Sequence, residues 1–546
     1  MIKYKITVSE PSTQFLKVNL TISNPFDQKL GLQFPAWRAG RYQLADYAKN
    51  VRSFAVRQSG EKVYLEKLAK NSWQFNMKAD KEYEVSYEYF AGKMDAGSCY
   101  IDEEQIYINF VNCCVEVLGV SFGEIQVEID QKLFKSKVCT LTKLRHNLFQ
   151  AQSFQELADS TFLAARELTH WTYKVASVDF NVWIKGKIHF DKKTFLKNFC
   201  AFTDRLINDF GEFPEKEYHF ILQLLPYKHY HGVEHRKGTV ITYGPASELE
   251  KSENMEDLLG VSCHELYHAW NVCRIRPKEL ILYDFGREVY TDAGWILEGI
   301  TTYMGDLYLL KSGVYELPTY LKHLSKVFQR ESMIQGYQHQ SILNSSLDLW
   351  LDGYQTGIPY RKTSIYTHGA LIAFSLDLLL LSQGKRLSSV MTQAWEKFGK
   401  PNSGYSQNSF WRLLKRNSDI SDELDDFYRE YIDSTGDIIK YLEGLVPSIG
   451  LEIVKTRQED PIRSELGIIT SESKVTQIHP MSIAKRDIII GDKISAEDFA
   501  KTLRVQVERI NGNTYQFNYP KKDRNLFPLL SIELAEKNDL FLKWSK

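Results

Sequence analysis

Two histidines one helical turn apart, His264 and His268, flank a glutamate in the string Cys263-His-Glu-Leu-Tyr-His-Ala-Trp270. At i and i+4 on a helix the imidazoles project to one side and can chelate one Zn2+, with Glu265 beside them as the base for a metal-activated water. From Leu258 to Val272 the segment is otherwise apolar or small, apart from Ser262, Tyr267 and Asn271. Burying two imidazoles and a carboxylate is unfavourable by several kcal/mol unless something pairs with them. No basic residue lies within the segment to do so, and a divalent cation would. Glu253, Glu256 and Asp257 suit the first turn of such a helix, and Arg274 and Arg276 its last turn before Pro277. A second helical pattern, Thr291 to Asp306, holds Glu298 among Trp295, Ile296, Leu297 and Ile300, a poor place for a free carboxylate. Two His and one Glu leave a fourth zinc position open, as catalysis requires.

HExxH followed by Trp295-x-x-Glu298-Gly-x-x-x-Tyr303 is the gluzincin arrangement. The stretch His264-Glu-Leu-Tyr-His-Ala-Trp-Asn-Val-Cys-Arg-Ile-Arg-Pro277 closely resembles the active-site segment of the glycyl aminopeptidase family, gluzincins that often carry a C-terminal PDZ domain. Tyr230-His-Gly-Val-Glu-His-Arg236 resembles that family's GGLEHR segment and Phe34-Pro-Ala-Trp-Arg-Ala-Gly-Arg-Tyr42 its PAWxPGSY segment. Tyr428 to Gly436 resembles the end of its catalytic domain, so the resemblance spans nearly the whole chain. The departures are local: His231 replaces the usual first glycine, Cys273 a usual lysine, and the stretch from Arg38 to Arg41 lacks the Pro and Ser.

The resemblance implies a peptidase preferring small N-terminal residues such as Gly or Ala. It makes Gly232, Val233 and Glu234 part of an edge strand beside the metal, where Glu234 pairs with the substrate's free α-amino group through a charge-assisted bond. Tyr366-Thr-His-Gly369 resembles the YxKG element of related aminopeptidases, with His368 in place of Lys. There the tyrosine hydroxyl donates to the oxyanion of the tetrahedral intermediate. Tyr360 is the reserve candidate. His229, His231 and His235 alternate along the strand but have no Cys or carboxylate spaced to complete a second metal site. Leu466-Gly-Ile-Ile469 and Gly491-Asp-Lys-Ile494 resemble a reduced PDZ domain, with a peptide C-terminus as its ligand.

The elements around these residues read as a multidomain α+β protein. Residues 1–165 alternate apolar and polar positions, as in Lys17-Val-Asn-Leu-Thr-Ile22, and predict an all-β, sandwich-like domain. Residues 166–450 pass from strands, such as Phe220-Ile-Leu-Gln-Leu-Leu225, to long helical patterns after about 255, an α+β order; the resemblance implies that this unit is a thermolysin-like catalytic domain. Residues 451–546 return to short alternating segments with Gly491-Asp492 and Asn511-Gly512 turns, the PDZ-like unit.

With 546 residues and 43% hydrophobic positions the chain can bury large cores. A net charge of −1 gives no reason to expect nucleic acid or an anionic membrane as partner. The first eight residues, MIKYKITV, alternate like a strand and hold no signal-length apolar run. The longest apolar stretch, Ala370 to Leu381, is too short to span a bilayer and contains Asp377. Seven cysteines without a CxxC pair read as reduced thiols, so the expected compartment is the cytoplasm. Two rival functions remain at this level: a metalloendopeptidase with the same metal chemistry, and a non-catalytic scaffold that binds peptides through its PDZ-like unit.

Overall fold

The computed structural model describes residues 2–119, 123–355 and 357–546; Met1 lies outside them. The fold is multidomain α+β, with a large N-terminal β-rich domain followed by a helical catalytic region. Ile2–Thr7, Phe15–Asn24 and Lys81–Phe90 form the centre of an eight-stranded sheet. Their alternation is that of a sheet with one face buried. The register places Leu20 beside both Tyr4 and Val85, and all three enter one core with Leu32 and Phe75. In a second, four-stranded sheet, Gln105–Asn109 pairs with Thr161–Ala165, and every residue of both strands is buried.

That burial is explained by the catalytic sheet. It comprises β1 (Thr169–Val175), β2 (Val178–Lys185), β3 (Glu217–Leu224), β4 (His229–His235) and β5 (Gly238–Gly244), in the order β1-β2-β3-β5-β4. Ile221, Val233 and Val240 pack on one face against Ala96, Tyr107 and Leu163 of the N-terminal domain. Phe220, Leu222 and Ile241 face the helices on the other. A strand covered on both faces is apolar at nearly every position, which is why Phe220 to Leu225 reads as a continuous run. Strand β4 pairs only with β5 and is the sheet's edge.

The helices that matter are α1 (Lys192–Phe210), α2 (Ser252–Tyr267), α3 (Ile300–Lys311), α4 (Leu317–Ile334) and α5 (Thr367–Ser382). Helix α1 starts where Asp191 accepts from the Thr194 amide and ends at Gly211 with φ +85°. Phe195, Phe199, Phe202 and Leu206 form its buried stripe. Helix α5 is buried on every side and carries Asp377 in its middle. That carboxylate accepts from Arg386 at 2.8 and 3.0 Å, from the Tyr303 hydroxyl at 2.7 Å and from the Leu387 amide at 2.8 Å. The same Tyr303 hydroxyl accepts from Trp544 Nε1 at 3.0 Å.

The C-terminal residues divide in two. Strands β6 (Leu451–Thr456) and β7 (Leu529–Leu534) pair with each other, and with helix α6 (Asp539–Ser545) they place Leu451, Leu530, Ile532, Phe541 and Trp544 in the core of the catalytic helices. Helix α4 covers the other edge of β7, where Ser325 and Gln329 accept from the amides of Ile532 and Leu530 at 2.8 and 2.7 Å. The intervening chain forms a separate five-stranded sheet with its own small core of Leu466, Ile468, Val475, Leu503 and Val505. Among the described residues no helix is long and apolar enough to cross a membrane.

Burial works against the ionised Asp377, but Arg386, the Leu387 amide and Tyr303 outweigh it and hold the carboxyl below its ordinary value. Its contribution to stability is therefore complete above the unfolded-state value of about 3.9 and fades as pH falls through the lower folded value. Asp377→Asn should lower stability by about 3–5 kcal/mol at neutral pH, the usual effect of breaking a buried pair. The gap between variant and wild type in urea unfolding should start to close only below about pH 4. A gap of constant size down to the acid unfolding limit would show that the charge on Asp377 is not what stabilises this junction.

Candidate active site

The carrier of the two histidines ends sooner than its sequence suggests. The apolar pattern runs to Val272, but α2 stops at Tyr267, with His268 as its last helical-geometry residue. The physical reason is Asn271, buried completely, whose Nδ2 donates to the carbonyls of Ile296 and Leu297 and to Thr301 Oγ1 at 2.8 to 3.2 Å. That turns the chain out of the helix, and Val272 takes φ +77°. Arg274 and Arg276 then fold back and donate to the carbonyls of Ala269 and Val272 at 2.6 and 2.8 Å. They therefore do not lie in the last turn of the helix, as the sequence suggests, but brace the turn that follows it. Asn271 also staples α2 to the turn that holds Glu298. This turn, Trp295–Gly299, is a single π-helical turn leading into α3, the irregularity that recurs at functional sites.

These two elements bring one nitrogen of His264, one of His268 and one oxygen of Glu298 within 4.8 Å of one another. The two Nε2 atoms are 3.0 Å apart, and Glu298 Oε2 lies 3.8 Å from His264 Nε2 and 3.6 Å from His268 Nε2. Tetrahedral zinc with bonds of about 2.0–2.2 Å sets its donors about 3.3 Å apart, so the donor set fits the ion as it stands. His268 Nδ1 faces the Asn271 carbonyl at 3.3 Å, which leaves Nε2 turned to the site. Burial and His268 push His264 down to about 3; burial would also lower His268, but Glu298 outweighs it and lifts His268 to about 9. The group is thus organised around one positive charge between two imidazoles and a carboxylate.

Glu265 sits between α2 and the edge strand. A Cβ added to Gly232 would come within 2.3 Å of Glu265 Oε1, so only glycine lets β4 approach the carboxylate this closely. Burial, opposed by His268 and reinforced by Glu234 and Glu298, pushes Glu265 up to about 8. Its Oε2 is buried without a hydrogen-bond partner, an orphan acceptor that calls for a proton to receive. Two residues beyond Gly232, on the same face of β4, Glu234 is 7% exposed and its Oε1 lies 3.3 Å from Arg38 Nη1. Val233 points to the other face, into the contact with the N-terminal domain. Arg38 comes from a loop that also lays Gly40, φ +86°, against Glu234; a Cβ there would fall 1.5 Å from Oε1. The edge strand is therefore closed at this end by the N-terminal domain.

Family models match in two places: the Peptidase M61 N-terminal domain over residues 3–166 and M61 glycyl aminopeptidase over residues 257–372. The chain belongs to the M61 glycyl aminopeptidase family. It is a zinc metallopeptidase. Among solved structures, an aminopeptidase N family protein from Idiomarina loihiensis is 24% identical and shares the fold over 100% of both chains with a TM-score of 0.89. The M1 zinc metallopeptidase of Deinococcus radiodurans, 15% identical over 78% of this chain and 92% of its own, reaches a TM-score of only 0.48, too loose to bear on this site. Comparison with curated protein sequences gives no match.

In this M61 chain Tyr366 stands at the N-terminus of α5. Gly299, next to Glu298, and Gly369 let the two elements touch, since a Cβ on Gly299 would meet the Gly369 backbone at 2.4 Å. Burial, then Glu298, Tyr354, Glu234 and Glu265, raise the Tyr366 hydroxyl well above its ordinary value, so it keeps its proton and can donate. His368 is buried, its Nδ1 2.8 Å from Glu331 Oε1, and the Thr367 hydroxyl donates to Glu331 Oε2 at 2.7 Å. That pair anchors the start of α5 behind Tyr366. Tyr360 instead lies against Ile478 and Gln477 of the C-terminal unit. The histidines of β4 have separate partners: His231 Nδ1 meets Asp95 Oδ1 and His235 Nδ1 the Asp159 carbonyl, both at 2.8 Å.

Three residues at the site were not singled out by sequence reasoning: Asn271, Arg38 and Tyr42, whose hydroxyl donates to Glu298 Oε1 at 2.7 Å. All lie inside segments that resemble the family, and nothing local distinguishes a polar residue that touches the site from one that faces solvent. Gly232→Ala should lower kcat/KM by about 10²-fold or more, because the added methyl must move either the edge strand or Glu265 out of alignment. Steady-state kinetics beside a thermal melt decides it; a fully active, correctly folded variant would show that the strand does not abut the working carboxylate.

Proposed function

We propose that this protein is an aminopeptidase that favours small N-terminal residues, Gly or Ala, with His264, His268 and Glu298 holding zinc. One observation carries the reading: the metal-competent group and Glu265 lie beside an edge strand whose far end is closed by Arg38 and Gly40 against Glu234. A peptide added along β4 reaches the metal group with little room beyond its own N-terminus, which favours removal of terminal residues over internal cleavage. Bound zinc supplies Lewis acidity toward the scissile carbonyl and toward water. Glu265 accepts the water's proton on its orphan oxygen and returns it to the leaving amine. Tyr366 donates to the developing oxyanion, and the Glu331–His368 pair holds it in place. Glu234 receives the α-ammonium group while Arg38 keeps the carboxylate ionised and fixed; Gly232 and Val233 offer the backbone of the edge strand. The narrow end between Gly40, Tyr42 and Glu234 supports a small first side chain.

In this reading residues 1–165, 166–450 and 451–546 are the N-terminal, catalytic and PDZ-like units, the last sharing β6, β7 and α6 with the catalytic core. Ile468–Ser471 is one edge of the C-terminal sheet, a place where a peptide would add as a strand. Seven free thiols, five of them buried, support a reducing compartment such as the cytoplasm.

The test compares Gly-, Ala- and Leu-p-nitroanilide with their N-acetylated forms, for wild type and Glu265→Gln, with zinc content assayed in both. Hydrolysis should favour Gly or Ala, vanish on acetylation, and fall by about 10²–10⁴-fold in a variant that still holds one zinc. Equal cleavage of acetylated peptides would turn the reading to endopeptidase and remove the role of Glu234. Chelation should abolish turnover and lower the melting temperature, with turnover restored as zinc saturates the site and stability rising with the logarithm of its excess over Kd; a melt indifferent to zinc would refute the metal site.

A further inference from the structure

We propose that Tyr42 is a positioning residue for the metal site, so that the N-terminal domain orients a ligand supplied by the catalytic domain. The inference rests on the reading of His264, His268 and Glu298 as zinc ligands and adds to it a residue 222 positions before the first of them. The two oxygens of Glu298 face different partners: Oε2 the histidine pair at 3.6 and 3.8 Å, Oε1 the Tyr42 hydroxyl at 2.7 Å. Tyr42 is 6% exposed, so its hydroxyl is held against Oε1 away from competing water. A carboxylate held by one oxygen cannot rotate away or chelate through both, and its other oxygen stays aimed at the ion. Groups that orient ligands in this way typically set metal affinity or activity by 10–100-fold.

The loop that delivers Tyr42 is itself fixed. Trp37 packs between Tyr283 and Trp350 and donates to the Asp284 carbonyl at 3.1 Å. The Ala39 amide donates to the Tyr283 hydroxyl at 3.2 Å, and the Tyr42 amide to the Tyr354 hydroxyl at 3.3 Å. Within five residues the loop therefore grips two carboxylates at the site, Glu234 through Arg38 and Glu298 through Tyr42. Zinc binding and docking of this loop are then linked: each favours the other by the same factor.

The experiment measures zinc affinity by chelator competition and the visible spectrum of the cobalt-substituted protein for wild type and for Tyr42→Phe. The control is Tyr87→Phe, which removes an equally buried hydroxyl, bonded to the Cys113 carbonyl at 2.7 Å in the core of the same domain. Tyr42→Phe should weaken zinc by about 10–100-fold and alter the cobalt bands, while Tyr87→Phe lowers the melting temperature without either change. Wild-type affinity and an unaltered cobalt spectrum in Tyr42→Phe would overturn the proposal and leave the ligand reading standing. Absence of zinc binding by the wild type would overturn both. If Tyr42→Phe does not fold, hydrogen exchange on the wild type decides: residues 34–42 should exchange more slowly with zinc than without, and equal rates would overturn the proposal.

Discussion

Two imidazoles and a carboxylate confined within 4.8 Å, two of the three buried, need a positive charge among them, whether a proton on His268 or a metal ion. Removing such groups from water is repaid only if opposite charge and hydrogen bonds meet them. Much of the catalytic half is built around that constraint. Helix α2 stops where Asn271 can hold it to the π turn, and the π turn directs Glu298 back toward the histidines. His268 is oriented by the Asn271 carbonyl and Glu298 by Tyr42, so two of the three side chains have a partner behind them.

Close approach is achieved by glycine at the three contacts that surround this group. Gly232 admits Glu265 beside the edge strand, Gly299 and Gly369 let the Glu298 turn meet the start of α5, and Gly40 lets the N-terminal loop lie on Glu234. Each lies where a methyl group would collide with backbone or with a buried carboxylate. The consequence is a group of side chains brought together from four separate parts of the chain and held by neighbours that are themselves packed. Rigid support of this kind is what keeps reacting atoms in a productive alignment.

The N-terminal domain is part of this machinery rather than an appendage. Its sheet covers one face of the catalytic sheet through Ala96, Tyr107 and Leu163, and its loop from Phe34 to Tyr42 reaches the site. The Asp95–His231 and Asp159–His235 contacts tie the same edge strand to that domain. His231, which departs from the family's glycine, is thereby engaged with Asp95 on the face of β4 opposite Glu265.

What the sequence determined by itself was local and periodic. The i, i+4 spacing of His264 and His268, the isolation of Glu298 in an apolar helix, and the two-residue alternation of the N-terminal strands depend on neighbours within a few turns, so they can be read directly. The end of α2 could not be, because a hydrogen bond from Asn271 to residues 25 and 26 positions away overrode a continuing apolar pattern. Nor could the pairings of Arg38 with Glu234 and Tyr42 with Glu298, which join residues 196 and 256 positions apart. Likewise β6, β7 and α6 read as part of the last unit yet pack into the catalytic core, since apolar pattern reports that a face is buried but not against which partner. Only tertiary structure decides partners, because contacts between distant segments leave no periodic trace in either one.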